Sequence, residues 1–153
     1  MAPASPDDRL RLDAFVPFRL SYTSNLVSDR IAKTYVALFG LSIPEWRLVA
    51  VIAEGEGVTQ AAIGARTRMD KVTVSRAAIA LTERGLLQRA GNPDDRRSHL
   101  LTLTEAGRTL YAAVAPKALE LERRIFESFP ADELARFVET LRRIDAAALS
   151  LGP

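Results

Sequence analysis

The sequence predicts a mainly helical protein with one small β-hairpin. Apolar residues recur every three or four positions over most of the 153 residues, which is the period of an amphipathic helix. Between residues 86 and 103 that period gives way to two short strand-like runs. Serine, threonine or aspartate precedes several periodic segments and glycine follows them, as at helix ends. The length favours one compact domain, with or without arms used for assembly.

The N-terminal third predicts a loose arm and two helices. Residues 1–15 are expected to form a flexible arm, because the first eight are rich in Pro, Ala and Asp and show no periodicity. A long helix follows over Pro17–Phe39, with Gly40 as a left-handed stop. Ser42 and Glu45 form a capping box that opens the second helix.

Two shorter helices come next, joined by a three-residue break. Thr59 is the predicted N-cap of a helix over Gln60–Arg66, and Asp70 that of a helix over Lys71–Arg84, which stops at Gly85. The inward stripe of the second of these helices is Val74, Ala77, Ala78 and Leu81. The residues left outside are Lys71, Thr73, Ser75, Arg76 and Ala80.

The hairpin and two more helices complete the chain. Leu86–Ala90 and Ser98–Leu103 read as strands, and the charged segment between them contains Asn92-Pro93, which favours a turn. Thr104 caps a long helix that reaches about Ser128. A last helix begins at Pro130, and its apolar stripe is Leu134, Phe137, Val138, Leu141 and Ile144.

Composition argues against an enzyme. There is no cysteine, which excludes disulfides, thiol nucleophiles and cysteine zinc sites. The one histidine, His99, makes a histidine-based active site or metal cluster hard to build, so we expect no catalytic residues, metal or cofactor. Asp94 and Asp95 are expected to pair with the neighbouring arginines rather than bind a metal. No apolar run approaches the roughly 20 residues that span a bilayer, and a cytoplasmic protein without membrane contact is expected.

Charge is concentrated in the middle of the chain. The net charge is +2, but residues 64–99 hold eight basic and four acidic side chains. A basic centre flanked by acidic arms is typical of a nucleic-acid reader, although it could also be a solvated basic face.

Two helices followed by a charged hairpin form the winged helix-turn-helix. Its second helix must fit the major groove of DNA, about 12 Å wide, and the alanines of that helix keep it slim. The residues expected to reach DNA are Lys71, Thr73, Ser75 and Arg76 on the helix and Arg96 and Arg97 on the hairpin. From charge alone, either arginine could enter an adjacent minor groove.

Three segments carry a resemblance to a known family. They are Thr73-Val74-Ser75-Arg76 followed by Leu81 to Leu86 and Arg89, then Asp95-Arg96-Arg97, then Leu101 to Thr104 followed by Gly107. In this order they resemble the DNA-binding domain of the MarR family of bacterial transcriptional regulators. The segment Phe39 to Ser42 with Trp46-Arg47 is similar to the entry to the family's second helix.

The resemblance implies a homodimer that binds a palindrome in double-stranded DNA. Residues 16–41 and 105–151 would be the interlocking dimerisation helices, and residues 42–104 the winged DNA-binding domain. It also implies that Arg97 is the hairpin residue that enters the minor groove and that Asp95 pairs with it to orient it. The terminal apolar stripes favour a dimer independently, although both could fold back within one monomer.

Proteins resembling this family often release DNA when a small, frequently aromatic and anionic effector binds. The positions implied are Arg19, Ser21, Tyr22, Asn25 and Trp46. Arg19 could bind a carboxylate bidentately, and Tyr22 or Trp46 could stack on a ring. The alternative is structural, with Trp46 in the core and Arg19 in a surface ion pair.

The sequence therefore predicts a ligand-responsive transcriptional repressor. The alternative is a winged-helix protein–protein interaction module without operator binding. The repressor is favoured over this module because cations lie both on the hairpin tip and along residues 71–76. A protein-binding module has no reason to keep cations in both places.

Overall fold

The structure is a computed structural model that describes residues 9–152. Most of the predicted flexible arm, residues 1–8, lies outside the described residues, and a short 3-10 helix covers Leu12–Ala14 within the rest of it. The helices are α1 (Val16–Phe39), α2 (Ile43–Ala53), α3 (Gln60–Thr67), α4 (Lys71–Glu83), α5 (Glu105–Phe126) and α6 (Ala131–Ser150). The strands are β1 (Leu87–Gly91) and β2 (His99–Leu103). The mainly helical class with one hairpin is confirmed.

Local signals set the helix boundaries as predicted. Gly40 ends α1 in the left-handed region, at φ +63°. Ser42 Oγ accepts a hydrogen bond from the Glu45 amide at 3.2 Å, and Glu45 Oε1 accepts one from the Ser42 amide at 2.9 Å, so the capping box is complete. Thr59 Oγ1 accepts from the Ala62 amide at 3.1 Å. These bonds satisfy amides that the first turn of a helix leaves without partners.

The hairpin is antiparallel, with Leu87 opposite Leu103 and Gly91 opposite His99. Each strand begins one residue later than predicted. The other edge of β2 also bonds the chain before α3: the Val58 amide donates to the Leu101 carbonyl at 3.1 Å, and the Leu101 amide donates to the Val58 carbonyl at 2.8 Å. These two bonds fasten the hairpin to the helical part of the fold.

The chain divides into two compact units, one up to Ala115 and one from Pro116 onward. The first contains α1 to α4, the hairpin and the start of α5. Its core joins the inner faces of these elements, and the fully buried side chains include Leu48, Val49, Ile63, Val74, Leu81, Leu87, Leu101 and Val114. The stripe predicted for α4 is confirmed, since all four of its residues are buried.

The second unit contains the rest of α5 and all of α6. The predicted stripe of α6 is amphipathic, but no α6 side chain is buried. Leu134, Leu141 and Ile144 are half-buried, and Phe137 and Val138 are exposed. The apolar face of α6 is therefore only partly covered within the described part of the protomer.

Residues 9–152 carry neither a single helix that could span a membrane nor a cluster of metal ligands. No single helix there is long and apolar enough to cross a membrane; α1 and α2 together meet the length and composition, but the chain bends by 79° between them. The same residues contain no group of three or more His, Asp or Glu side chains that could hold a metal ion.

Candidate nucleic-acid interface

A tight turn between α3 and α4 places the start of α4 at the surface. Arg68 ends α3 in the left-handed region, at φ 57°, and Asp70 then caps α4. Asp70 accepts from the Thr73 amide at 2.8 Å and from the Thr73 hydroxyl at 2.9 Å. These bonds hold the pKa of the Asp70 carboxyl below its usual value, because hydrogen bonds to a carboxylate favour its charged form.

The cap and partial burial alter two of the sequence expectations for α4. The Thr73 amide and hydroxyl proton are both committed to Asp70, so neither is free to donate to a phosphate. Thr73 and Ser75 are half-buried, whereas Lys71 and Arg76 are exposed. The two cations therefore lie where the sequence predicts, and the two hydroxyl residues lie at the edge of the exposed face.

Val72 and Ile79 lie on the outer line of α4, and the sequence interpretation missed them. Val72 is 57% exposed and Ile79 is 46% exposed. Sequence reasoning assigns aliphatic residues to the core by default. The helical period is the signal that could have found them, because 100° per residue places both nearly opposite the buried stripe.

The hairpin tip, residues 92–98, is ordered by its own polar groups. The Asp94 amide donates to Asn92 Oδ1 at 3.0 Å, and Asn92 Nδ2 donates to Ser98 Oγ at 2.9 Å. The Arg97 amide donates to Asp95 Oδ1 at 3.0 Å. Short polar side chains stabilise turns in this way by bonding the backbone two residues on.

The expectation that Asp95 pairs with the side chain of Arg97 is not met in this structure. The contact is with the backbone amide, and among the ion pairs of residues 9–152 none includes Asp95, Arg96 or Arg97. Asp95 fixes the turn from which Arg97 projects, and the guanidinium of Arg97 stays exposed. An unpaired exposed guanidinium is available to an anionic partner.

Internal contacts divide the basic residues of the centre into two groups. Arg66 pairs with Glu54, and Arg84 donates to the Gly40 and Phe39 carbonyls at 3.1 and 3.2 Å. The members of the other group have no side-chain hydrogen bond or ion pair within the described part of the chain. They are Arg68, Lys71, Arg76, Arg89, Arg96 and Arg97. Every cation predicted to contact DNA belongs to this second group.

The predicted effector residues fall into two separate places. The Arg19 guanidinium lies 5.1 Å from the centre of the Tyr22 ring, a cation–π contact in place of the ion pair considered from sequence. Trp46 stacks on Tyr111 with ring centres 5.9 Å apart, and it contacts Tyr35 at 5.6 Å. Tyr22 and Tyr35 are separated by about 20 Å along α1. One protomer therefore does not bring Trp46 together with Arg19 and Tyr22.

Two surface cavities lie within the first unit. One of about 580 Å³ is bounded by the end of α2, the base of the hairpin and the start of α5, with Gln88, Arg108 and Tyr111 in its lining. The other, about 350 Å³, separates the start of α2 from α4 and includes Ser42, Thr73 and Arg76. Neither is lined by a predicted effector residue. The two exposed residues Ser21 and Asn25 lie on the same part of α1 as Tyr22.

Comparison with known proteins finds likenesses to one family of regulators. Residues 39–98 match the sequence model of the MarR family. A MarR-family transcriptional regulator from Rhodococcus sp. RHA1 superimposes with a TM-score of 0.80 at 28% identity, covering 89% of this chain and 96% of that one. The chain resembles the MarR family in the sequence of its centre and in its fold. The resemblance stated from the motifs is confirmed, and so is the winged helix-turn-helix fold of a DNA-binding transcriptional regulator.

Two further likenesses cover most of the fold or its centre. CouR from Rhodococcus jostii RHA1, solved bound to p-coumaroyl-CoA, has a TM-score of 0.78 at 28% identity over 89% of this chain and 95% of that one. The HTH-type transcriptional regulator YxaD of Bacillus subtilis is 34% identical over 80 residues, which are 52% of this chain and 56% of YxaD. MarR-family regulators are DNA-binding proteins rather than enzymes.

Proposed function

We propose that this MarR-family chain is a homodimeric repressor that binds palindromic double-stranded DNA and is released by a small aromatic or anionic effector. One observation carries the proposal: α4 and the hairpin tip each present exposed cations that have no partner among the described residues. In the proposed organisation residues 42–104 bind DNA, while residues 16–41 and 105–151 form the dimer. Such a regulator works in the cytoplasm, where the bacterial chromosome lies.

The exposed cations of α4 suit the major groove of DNA, and those of the hairpin tip suit the minor groove. The N-terminal part of a recognition helix contacts base edges in the major groove. Lys71 is the first residue of α4, and Arg76 lies in its N-terminal half. The hairpin tip then meets an adjacent minor groove, where Arg97 enters and Arg96 neutralises phosphates. Asp95 contributes by holding the turn that presents Arg97.

The exposed apolar face of α6 supports the dimer. No α6 side chain is buried in the protomer, and a second copy would cover this face by the two-fold packing common among homo-oligomers. Two recognition helices related by that axis would address half-sites one helical turn apart, about 34–36 Å. A palindromic operator follows from that symmetry.

The effector proposal draws on CouR, which was solved with p-coumaroyl-CoA bound. That ligand joins an aromatic acyl group to an anionic carrier. In this chain Arg19 and Tyr22 place a cation and an aromatic ring side by side, while Ser21 and Asn25 are exposed nearby. We assign these four residues to effector binding, whereas Trp46 packs against Tyr35 and Tyr111 and lies apart from them. Aromatic carboxylates and their thioesters should release bound DNA, and Arg19→Ala should weaken that release without changing DNA affinity.

The DNA interface is tested with a duplex selected from random sequence by the wild-type protein at low salt. Arg97→Ala should weaken binding to all sequences and lower the salt slope by about 1 per site, because it removes a groove and phosphate charge. Arg76→Ala should cost about 1–3 kcal/mol and relax sequence preference, as expected for a base contact. Titrations at several salt concentrations measure both effects.

Arg143→Ala is the matched control, since Arg143 is exposed on the polar face of α6 and lies outside the proposed interface. It should bind the selected duplex like wild type. If Arg97→Ala and Arg76→Ala also bind like wild type, the site assignment is wrong. If the wild-type dimer selects no duplex at low salt, DNA binding itself fails and a protein-binding module becomes the better interpretation.

A further inference from the structure

We propose that Val72 recognises a thymine methyl group in the major groove, so that each half-site of the operator carries a thymine at one fixed position. The inference rests on the proposed DNA binding and deepens it, because it names the base chemistry that α4 reads. It concerns a residue that the charge pattern does not point to.

Val72 lies in the first turn of α4, at the surface of the protein. Val72 is the second residue of α4, and more than half of its surface is exposed. The Asp70 cap fixes this first turn through two hydrogen bonds to Thr73. Val72 is β-branched and has few rotamers in a helix, so its two methyl groups occupy a defined place on the outer face.

The charges around Val72 indicate which kind of partner binds the outer face of α4. Lys71 precedes Val72, and Arg76 follows one turn later on the same side of the helix; both are exposed and lack partners within residues 9–152. An aliphatic side chain framed by unpaired cations matches a polyanion that also offers apolar groups. Duplex DNA has that chemistry, because thymine presents its C5 methyl in the major groove beside the phosphate backbone.

Thymine is the base that suits a valine. The other major-groove positions present hydrogen-bond donors and acceptors, which an aliphatic side chain cannot satisfy. Contact with a cytosine amino group or a purine N7 would leave that polar group without a partner after its water is displaced. Val72 therefore favours thymine by contact and disfavours the other bases by desolvation.

Ile79 provides a matched comparison on the same helix. It is also exposed and aliphatic, and it lies seven residues further along, about 10 Å away on the same face. Base-edge contacts are concentrated at the N-terminal end of a recognition helix. Ile79 is therefore not expected to read a base methyl, although its surface resembles that of Val72.

The experiment removes the methyl group from DNA and from protein separately. In the duplex selected by the full-length wild-type protein, each thymine is replaced singly by deoxyuridine, which lacks only the C5 methyl. We expect one position per half-site at which affinity falls about fourfold, the factor for burial of one methyl group. In Val72→Ala that position should become insensitive to the replacement, while Ile79→Ala should keep the wild-type sensitivity.

The outcomes separate this inference from the proposed function. If the wild-type protein binds its selected duplex but no thymine is sensitive, or if Val72→Ala keeps the full sensitivity, the thymine contact is refuted and DNA binding stands. If the sensitivity is lost in Ile79→Ala instead, the assignment to Val72 is wrong. If Val72→Ala changes the oligomeric state, the face contacts a second copy and the inference is also overturned. Failure to bind any duplex refutes the proposed function itself.

Discussion

Because Gly107 has no side chain, the start of α5 can pack closely against Leu86 and Leu103 at the base of the hairpin. A Cβ atom at this position would lie 2.1 Å from the Leu86 carbonyl oxygen and 3.3 Å from the Leu103 Cβ. The Leu86 oxygen cannot move away freely, since it accepts the Thr104 amide at 3.1 Å. The glycine that follows Leu101 to Thr104 in the motif thus has a steric cause, which the sequence alone does not reveal.

Gly107→Ala should therefore destabilise the fold. The inserted methyl group overlaps backbone, so the expected loss is about 3 kcal/mol, at the upper end of the cost of overpacking. Urea unfolding followed by circular dichroism measures it. Gly91→Ala is the control, because a Cβ there has no heavy atom within 4 Å and the backbone has no positive φ. Equal stability of the two variants would contradict the steric argument.

At the scale of elements, Arg84 joins the end of α4 to the end of α1. Its guanidinium donates to the Phe39 and Gly40 carbonyls, two groups that the last turn of α1 leaves without amide partners. A cation at a helix C-terminus is also favoured by the helix dipole. Arg84 therefore has a structural role. Its charge alone would assign it to the DNA-binding surface, but its guanidinium is used in hydrogen bonds within the fold.

Arg84→Ala should lower the free energy of unfolding by about 1 kcal/mol, the usual value for an exposed charge-assisted hydrogen-bond pair at a helix end. DNA affinity should fall little, because the side chain does not contribute to the proposed interface. Chemical denaturation and DNA titration of the same preparation measure both quantities. Arg89→Ala, which removes an exposed cation without a partner in the described chain, should leave stability unchanged; a loss equal to that of Arg84→Ala would contradict the capping role.

The elements were predictable where their causes are local. Thr59 and Asp70 cap helices whose first residues follow directly, so their boundaries could be read from a few neighbouring positions. The Val58 bridge to β2 and the Arg84 bonds to α1 join positions more than 40 residues apart, and no local pattern encodes them. In the candidate site, the cations were found from charge; Val72 was missed because aliphatic residues are assigned to the core by default, although the helical period already placed it opposite the buried stripe.

In the molecule as a whole, α6 is the helix whose apolar face is left uncovered: none of its side chains is buried in the described protomer. Its sequence alternates polar and apolar residues at helical spacing over 20 residues, yet Phe137 remains 48% exposed. A monomer gains little from ordering such a helix, because the hydrophobic contribution depends on the apolar area removed from water. A second copy would supply that burial and fix the distance between two DNA-binding domains.

Phe137→Asp should therefore separate the proposed dimer, because it places a charge in the apolar stripe that a second copy would cover. Sedimentation equilibrium should show a monomer. Affinity for a palindromic duplex should fall by about 100-fold or more, since two half-site contacts are no longer linked, while a duplex with one half-site should lose little. Arg143→Asp introduces the same side chain on the polar face of α6, with an even larger change of charge, and should remain dimeric. A Phe137→Asp protein that stays dimeric and binds the palindrome at wild-type affinity would exclude α6 from the interface, and the palindrome would then need another source of symmetry.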